Sequence, residues 1–427
     1  MRTDRRPATA VVAGNGVIAL ATGIALARRG VAVTIVGPDA PWRGASWGNA
    51  GHIAVEQVDP LASRETIRSM PARLFARGGA VDLPLRDIAT WLPFGLRLLR
   101  ASSPARFARG KAALSAILST AMPAWRQLLA EAGAGHLLRE DGHFIVWETA
   151  RTAARGRAHW LAADAGTASF RDATPDELAR LAPLVSVPIA GAIRCRGSGQ
   201  ITDTAALGDA LYRYFVALGG RLEHGMVTGL VAAADGAVAV IDGDRRIRAD
   251  IAVAAAGAAS ASLVPAPLMA ERGYHVEGEA PDWPADMPPV VFEDRSMIVT
   301  RFAGTLRAAS FVEFAHGDSP ADPRKWDRLR GHLAALGIGF SEPLRHWMGA
   351  RPTLPDYLPA IGRRADTPAI AYAFGHQHLG LTLAATTGDA VAAMMCGDPP
   401  AIDLAPFDLA RWDPARPGGW WLSPPHG

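Results

Sequence analysis

The apolar positions of the first forty residues read as strand, helix and strand. Ala10 to Ala13 are uniformly apolar, as in a short buried strand, and Val31 to Val36 form a second run rich in β-branched residues. Between them Val17, Leu20, Ile24 and Ala27 recur at helical spacing until Gly30 ends the pattern. From about residue 56 the text changes character. "WLPFGLRLLRASSPARFARG" and "KAALSAILSTAMPAWRQLLAEAG" are helical by period, and "REDGHFIVWET" alternates like a strand. Near residue 200 the first style returns, with a helix, the strand "RLEHGMVTGLVAA", a hairpin at "ADG" and the strand "IAVAAAG". The strands "MIVTRF" and "TLRAASFVEF" are joined by a short glycine turn and predict a hairpin, followed by a helix around "KWDRLRGHLAALG".

The turn in the first unit adds chemistry. Gly14-Asn15-Gly16-Val17-Ile18-Ala19 is G-x-G-x-x-A between a strand and a helix. The first glycine permits the tight turn, the second lets backbone approach a pyrophosphate, and the small third residue lets the helix pack on the strand. The helix start offers free N–H groups to the phosphates. This arrangement predicts a dinucleotide site. An acidic residue should end the second strand and hold the ribose hydroxyls, but Gly37 stands there. Asp39 is the nearest substitute; an exposed loop aspartate is the equal alternative. Downstream, "GASWGNAGHIAVE" places Ser46, Asn49 and Gly51 in a small polar loop, able to run close to a flat ligand.

Composition narrows the class. A chain of 427 residues exceeds one ordinary core, so two domains are expected. Half its residues are apolar and a fifth are charged, which suits a globular enzyme. The net charge of +3 and the lack of a dense basic block with interleaved aromatics argue against nucleic acid. Cys195 and Cys396 form no CxxC pair, which fits a reducing compartment. The start has no signal-peptide core and no apolar run reaches transmembrane length, so the expected location is cytoplasmic. Trp91 to Leu99 is an apolar patch with Arg97 and Arg100 beside it, which reads as core packing or as a contact with a membrane or quinone reductase.

"GNGVIALATGIALARRGVAVTIV" followed by "SWGNAGHI" resembles the flavin-dependent D-amino-acid oxidase superfamily, especially its D-amino-acid dehydrogenase branch. "WMGARPTLPDYLPAIGR" resembles that family's G-x-RP-x-x-PD-x-x-P-x-x-G signature, and "GHQHLGLT" its G-H-x-x-x-G-x-T/L stretch. The resemblance covers nearly the whole chain, most strongly residues 11–53 and 347–388. It implies an α/β fold with a Rossmann-like FAD-binding domain of glutathione-reductase type and an α+β substrate domain, both discontinuous. The FAD-binding domain takes residues 1–55, 200–262 and 346–427, and the substrate domain takes 56–199 and 263–345. The fingerprint would hold the FAD diphosphate, while Ser46, Asn49, Ala50 and Gly51 lie along the flavin. Val227 would pack on the adenine side, and the Ala256-Gly257 turn would close over the dinucleotide.

At the other end, Gly375, His376, Gly380, Leu381 and Thr382 are implied flavin contacts, largely through backbone, where a helix start would stabilise a reduced flavin's charge. H-x-H spacing in a strand would put His376 and His378 on one face, but nothing nearby completes a metal's ligand set, and no metal site is expected. Arg351 supplies the guanidinium fork an amino-acid carboxylate needs, with a structural salt bridge as its alternative role. His378 falls where glycine-oxidase-like relatives place a second arginine and reads as a substrate-side group. Tyr274 and His275 in "RGYH" are candidate pocket walls. "GYH" with "GHQHLGLTLA" tilts the resemblance toward cyclic imino-acid dehydrogenases of the D-proline or cis-4-hydroxy-D-proline type.

The implied reaction is hydride transfer from Cα–H to flavin N5, giving an imine with no obligatory catalytic base. A sarcosine- or glycine-oxidase-like enzyme, a pyridine-nucleotide dehydrogenase using only the first motif, and a flavin-retaining protein without turnover are the alternatives. The partners are a small amino-acid substrate and an electron acceptor that is a quinone, an electron-transfer protein or oxygen; a peripheral contact at the inner face of a membrane is the alternative to a free cytoplasmic location.

Overall fold

Val11, Val12 and Ala13 are buried although successive strand residues point to opposite faces, so this strand must lie inside a sheet covered on both sides. The computed structural model describes residues 6–38 and 42–412. Thr9–Ala13 is central in a six-stranded sheet ordered Arg221–His224, Ala32–Gly37, Thr9–Ala13, Ile251–Ala254, Ile370–Phe374 and Ala360–Arg363. The first five run parallel and the last is antiparallel. The helices Val17–Ala27, Thr204–Ala217 and Gly380–Cys396 cover one face, joining Val12, Val33 and Ile35 in the largest core. A three-stranded antiparallel sheet, Val227–Ala233, Gly236–Ile241 and Arg245–Ala249, covers the other through Val11, Ala13 and Ala254.

A second layer is a nine-stranded, largely antiparallel sheet that includes His143–Trp147, Gly191–Arg196, Met269–Glu279, Leu306–Phe314 and Ser341–Thr353. The helix Pro323–Leu336 packs on it through Leu329, Leu333 and Leu336. Its Lys325 is fully buried, with Nζ 2.6 Å from Asp82, 3.0 Å from Glu313 and 3.1 Å from Asp322. That ammonium fills a cluster of three carboxylates that could otherwise hold a cation.

Three expectations differ in detail. "RLEHGMVTGLVAA" is two strands in two sheets, broken at Gly225, whose φ of +148° is open to glycine. The expected boundary at 346 falls inside Ser341–Thr353, which belongs wholly to the nine-stranded sheet. The helices Pro104–Ser119 and Ala121–Glu131, expected in the inserted domain, bury Leu114, Ile117 and Trp125 in the core of the six-stranded layer. Periodicity located these helices, but which core receives an apolar face is a tertiary choice.

Candidate active site

The fingerprint turn is built by close backbone approach. Gly14 has φ +108°, and a Cβ there would stand 2.4 Å from the Ala255 carbonyl oxygen and 2.7 Å from Ala256 Cα. The Gly14 turn and the Ala256-Gly257 turn therefore abut, at the ends of adjacent parallel strands. Gly16 caps the helix Val17–Ala27 with no side-chain bond to its free N–H groups, and a Cβ on it would meet nothing within 4 Å. Ala19 is fully buried where helix meets sheet. At the missing acidic position, a Cβ on Gly37 would lie 2.4 Å from Asn15 Cγ. The Asn15 carboxamide thus occupies the space beside Gly37, donating from Nδ2 to the Pro38 carbonyl at 2.7 Å. Asp39 lies outside the described residues.

The loop at 46–51 is fastened from both layers. The buried Arg307 pairs with Glu277 at 2.6 Å and donates to the carbonyls of Trp47 and Asn49. Asn49 Oδ1 accepts from Gly51 N at 2.8 Å, and His275 Nδ1 lies 3.0 Å from the Gly48 carbonyl. The other end of the chain closes against this loop. A Cβ on Gly380 would lie 3.9 Å from Ser46 Oγ, and Thr382 Oγ1 accepts from Ala54 N at 2.9 Å. One cleft is lined by Val17, Ser46, Trp47, Thr204 and Leu381. Gly388 sets the distance between the helices, since a Cβ there would stand 2.6 Å from the Ala21 backbone. Gln377–Cys396 is long and apolar enough to cross a membrane, but 83% of its most apolar window is buried in this packing.

Above the loop, the nine-stranded sheet presents Arg351. Its Nη1 lies 3.3 Å from Glu271, whose other oxygen accepts from the Tyr357 hydroxyl at 3.0 Å. Gly273 makes the room: a Cβ there would lie 2.1 Å from Arg351 Nη2. Glu271 is buried, whereas the Arg351 side chain keeps 26% exposure, so the guanidinium is oriented from behind and still open in front. His378 Nε2 lies 2.5 Å from Gln57 Oε1. Burial first, then the positive charge of Arg351, drives the His378 pKa down to about 3. His378 is therefore a neutral hydrogen-bonding group across the ordinary pH range. It does not replace a second cation.

A family model described as "DAO: FAD dependent oxidoreductase" matches residues 9–394. The chain belongs to the DAO family of FAD dependent oxidoreductases. A D-amino-acid oxidase of Bradyrhizobium diazoefficiens is 30% identical over 414 residues, spanning 94% of this chain and 98% of that protein. The glycine oxidase of Geobacillus kaustophilus shares the fold with a TM-score of 0.71 at 23% identity, covering 95% of this chain and 99% of that one. The L-proline dehydrogenase of P. horikoshii shares it with a TM-score of 0.70 at 15% identity, covering 96% and 98%.

The residues present fit the family's FAD. An uncapped helix start, an open Gly16 and two abutting glycine turns form a cradle for a diphosphate. Val227 begins the three-stranded sheet and is buried with Val36 and Ala254. On the carboxy-terminal side the expected H-x-H strand face is not formed. Gln377 has φ +49°, the chain turns through a short 3-10 segment at Gln377–Leu379, and the two imidazoles part. His376 Nε2 lies 3.0 Å from Thr387 Oγ1 in the helix, and burial drives its pKa down to about 3. With the Thr382 hydroxyl also engaged, this segment can offer a cofactor its backbone rather than these side chains.

Tyr274, expected at the pocket wall, lies on the opposite sheet face from Arg351. Its hydroxyl bonds Glu313 at 2.5 Å and its ring packs on Phe311 and Trp326. Strand alternation explains the reversal, because Glu271, Gly273 and His275 face one way and Arg272 and Tyr274 the other. His275 stays on the Arg351 side, stacked on Trp347 at 5.1 Å. Gln57, Trp347, Gly273 and Glu271 are the residues the sequence did not single out. Each acts through a pairing between distant segments that leaves no local pattern.

Behind Gln57 lies a buried cluster of His52, Glu56 and His143, with ligand-type atoms within 4.8 Å of one another. His52 Nε2 is 3.4 Å from Glu56, too long for a good hydrogen bond. Burial pushes the Glu56 pKa up to about 8 and that of His52 down to about 4. Near pH 7 both are therefore neutral. An acid whose folded pKa exceeds its unfolded value destabilises the fold between those values, and the full penalty is present above the higher one. Wild-type stability should therefore fall from the unfolded value of 4.5 up to about 8. The buried histidines act oppositely, but their loss of stability is confined below about pH 6.5. Denaturant unfolding of Glu56→Gln at pH 6.5 and pH 8 should show the variant gaining roughly 2 kcal/mol on wild type across that window. A constant difference would mean Glu56 is ionised throughout.

Proposed function

We propose that the protein oxidises the Cα–N bond of a D-amino acid to an imine, with cyclic imino acids of the D-proline or cis-4-hydroxy-D-proline type as preferred donors. The reading is supported most by Arg351, a guanidinium oriented by Glu271 and still partly exposed, whose charge acts on His378, itself bonded to Gln57. The relationship to a D-amino-acid oxidase supports the donor class.

Bound FAD supplies the two-electron oxidant. The fingerprint residues Gly14, Asn15, Gly16, Val17, Ile18 and Ala19 would hold its diphosphate, with Ala256 and Gly257 beside them and Val227 toward the adenine. Ser46, Asn49, Ala50 and Gly51 would contact its ring system, and Gly375, His376, Gly380, Leu381 and Thr382 would offer it backbone groups. Arg351 fixes the substrate carboxylate, which sets the orientation of Cα–H, and orientation supplies most of the rate. His378 and Gln57 hydrogen-bond the carboxylate edge or a ring hydroxyl. Because His378 is neutral, the site carries one cation for one carboxylate, and a second acidic group on the donor would be unpaired.

Anaerobic bleaching of the bound flavin by D-proline, cis-4-hydroxy-D-proline, D-alanine and sarcosine tests this. The two cyclic imino acids should reduce it fastest. Fastest reduction by sarcosine, with hydrogen peroxide formed in air, would move the protein to the glycine- or sarcosine-oxidase type. Silence from all four would end the donor assignment and favour a flavin-retaining protein without turnover.

A further inference from the structure

The buried cluster behind Gln57 joins two layers of the fold. His52 and Glu56 follow the loop at 46–51, and His52 pairs with Gln200 in a small three-stranded sheet. His143 begins a strand of the nine-stranded sheet, in register with Cys195. The rings of His52 and His143 lie 4.5 Å apart, edge to face. One ligand-type atom from each of the three residues lies within 4.8 Å of the other two. His52 Nε2 and Glu56 Oε2 are buried and have no hydrogen-bond partner among the described residues. Orphaned polar atoms at one buried spot are costly unless something meets them.

The spacing suits a metal ion better than a hydrogen bond. His52 Nε2 and Glu56 Oε1 are 3.4 Å apart. Two ligands held at about 2.1 Å on corners of a tetrahedron stand roughly 3.4 Å from each other. The tautomer of His143 is set from behind. Ser198 Oγ donates its one hydrogen to Cys195 Sγ at 3.7 Å, so His143 Nδ1, at 3.1 Å, is the donor to that hydroxyl. His143 Nε2 then keeps its lone pair, and a hydrogen bond on the far ring nitrogen is what orients a metal-binding imidazole. No side-chain cation fills the place: among the described residues the ion-pair partner of Glu56 is His52 alone. The cluster of Asp82, Glu313 and Asp322 differs, because Lys325 supplies its positive charge. Two nitrogens among three ligands select a transition ion such as zinc over magnesium or calcium, which prefer oxygen.

We propose that His52, Glu56 and His143 bind a divalent transition-metal ion, with zinc as the best-fitting case and a fourth position left for water. The ion clamps the segment after the 46–51 loop to the nine-stranded sheet. Gln57, which meets His378, is the neighbour of one ligand, so the clamp also fixes that pair. Zinc has no redox chemistry of its own, and the site stands whichever donor the enzyme oxidises. The pH dependence derived above for Glu56 belongs to the metal-free protein.

The test is zinc binding by the flavin-loaded protein after dialysis against a chelator, read by calorimetry and by metal analysis. Wild type should take up zinc in proportion to chain and melt at a higher temperature with it than without. Magnesium should do neither. Ser198→Ala should weaken zinc binding roughly 10- to 100-fold through the lost orientation of His143. Glu56→Gln, which keeps the size of the side chain, and His143→Ala should each weaken it further still. His316→Ala, at an exposed histidine, should leave it unchanged. Dialysed wild type that takes up no zinc would overturn the proposal and leave the orphaned atoms to water. So would Glu56→Gln and His143→Ala variants that bind zinc like wild type, or binding lost in His316→Ala, since the ion would then sit at the surface.

Discussion

Arg351→Ala is expected to lower kcat/KM roughly 30- to 5,000-fold for any amino-acid donor, mostly through KM, with the flavin spectrum unchanged. Removing one partner of a buried, hydrogen-bonded charge pair costs about 2–5 kcal/mol, and each 1.36 kcal/mol is about tenfold in rate. Arg351 also neutralises Glu271 at 3.3 Å, so the alanine variant leaves that carboxylate with the hydroxyls of Tyr357 and Thr353 as partners. A modest fall in melting temperature should accompany the kinetic loss. Arg351→Lys separates the two effects. It keeps the charge toward Glu271 but not the planar fork, so stability should recover more than KM does. Normal saturation of Arg351→Ala would confine the residue to its salt bridge.

Gly14→Ala is expected to yield protein without flavin and with a lowered melting temperature even before cofactor is considered. Its Cβ would stand 2.4 Å from a main-chain oxygen at φ +108°, and backbone at that distance cannot move aside as a flexible side chain would. Gly16→Ala should behave differently. The protein places nothing within 4 Å of that Cβ, and the φ of −75° suits any residue. The apoprotein should therefore melt like wild type while FAD affinity falls, because the space at Gly16 is reserved for a ligand. Flavin titration of the two apoproteins with parallel melting curves reads the contrast. Equal FAD affinity in Gly16→Ala and wild type would remove the diphosphate from that turn.

The apolar periods were sufficient to place the strand, turn and helix around Gly14 and the helix after Gly380, because both lie deep in one core and their patterns are unbroken. The same reading misassigned Tyr274, since alternation says that neighbours in a strand part but not which of them faces the ligand. It joined two strands across Gly225, where a backbone conformation and no side chain marks the break. The apolar pattern of Trp91–Leu99 does not say which of its residues face the core. Phe94 and Leu98 are buried while Leu92, Leu96 and Leu99 are exposed, a division that depends on where the helix docks.

What the chain determines by itself is local: the glycines that let backbone meet a diphosphate, the helix that follows them, and the arginine within its proline-rich stretch. These depend on residue type and near spacing, which a linear text carries. What only the tertiary structure decides is the company each residue keeps. Gln57 meets His378, Glu271 orients Arg351 through room left by Gly273, and Asn15 fills the place of a missing acid beside Gly37. Pairings across tens or hundreds of residues follow from how two sheets pack, and packing is a property of surfaces that no single segment contains.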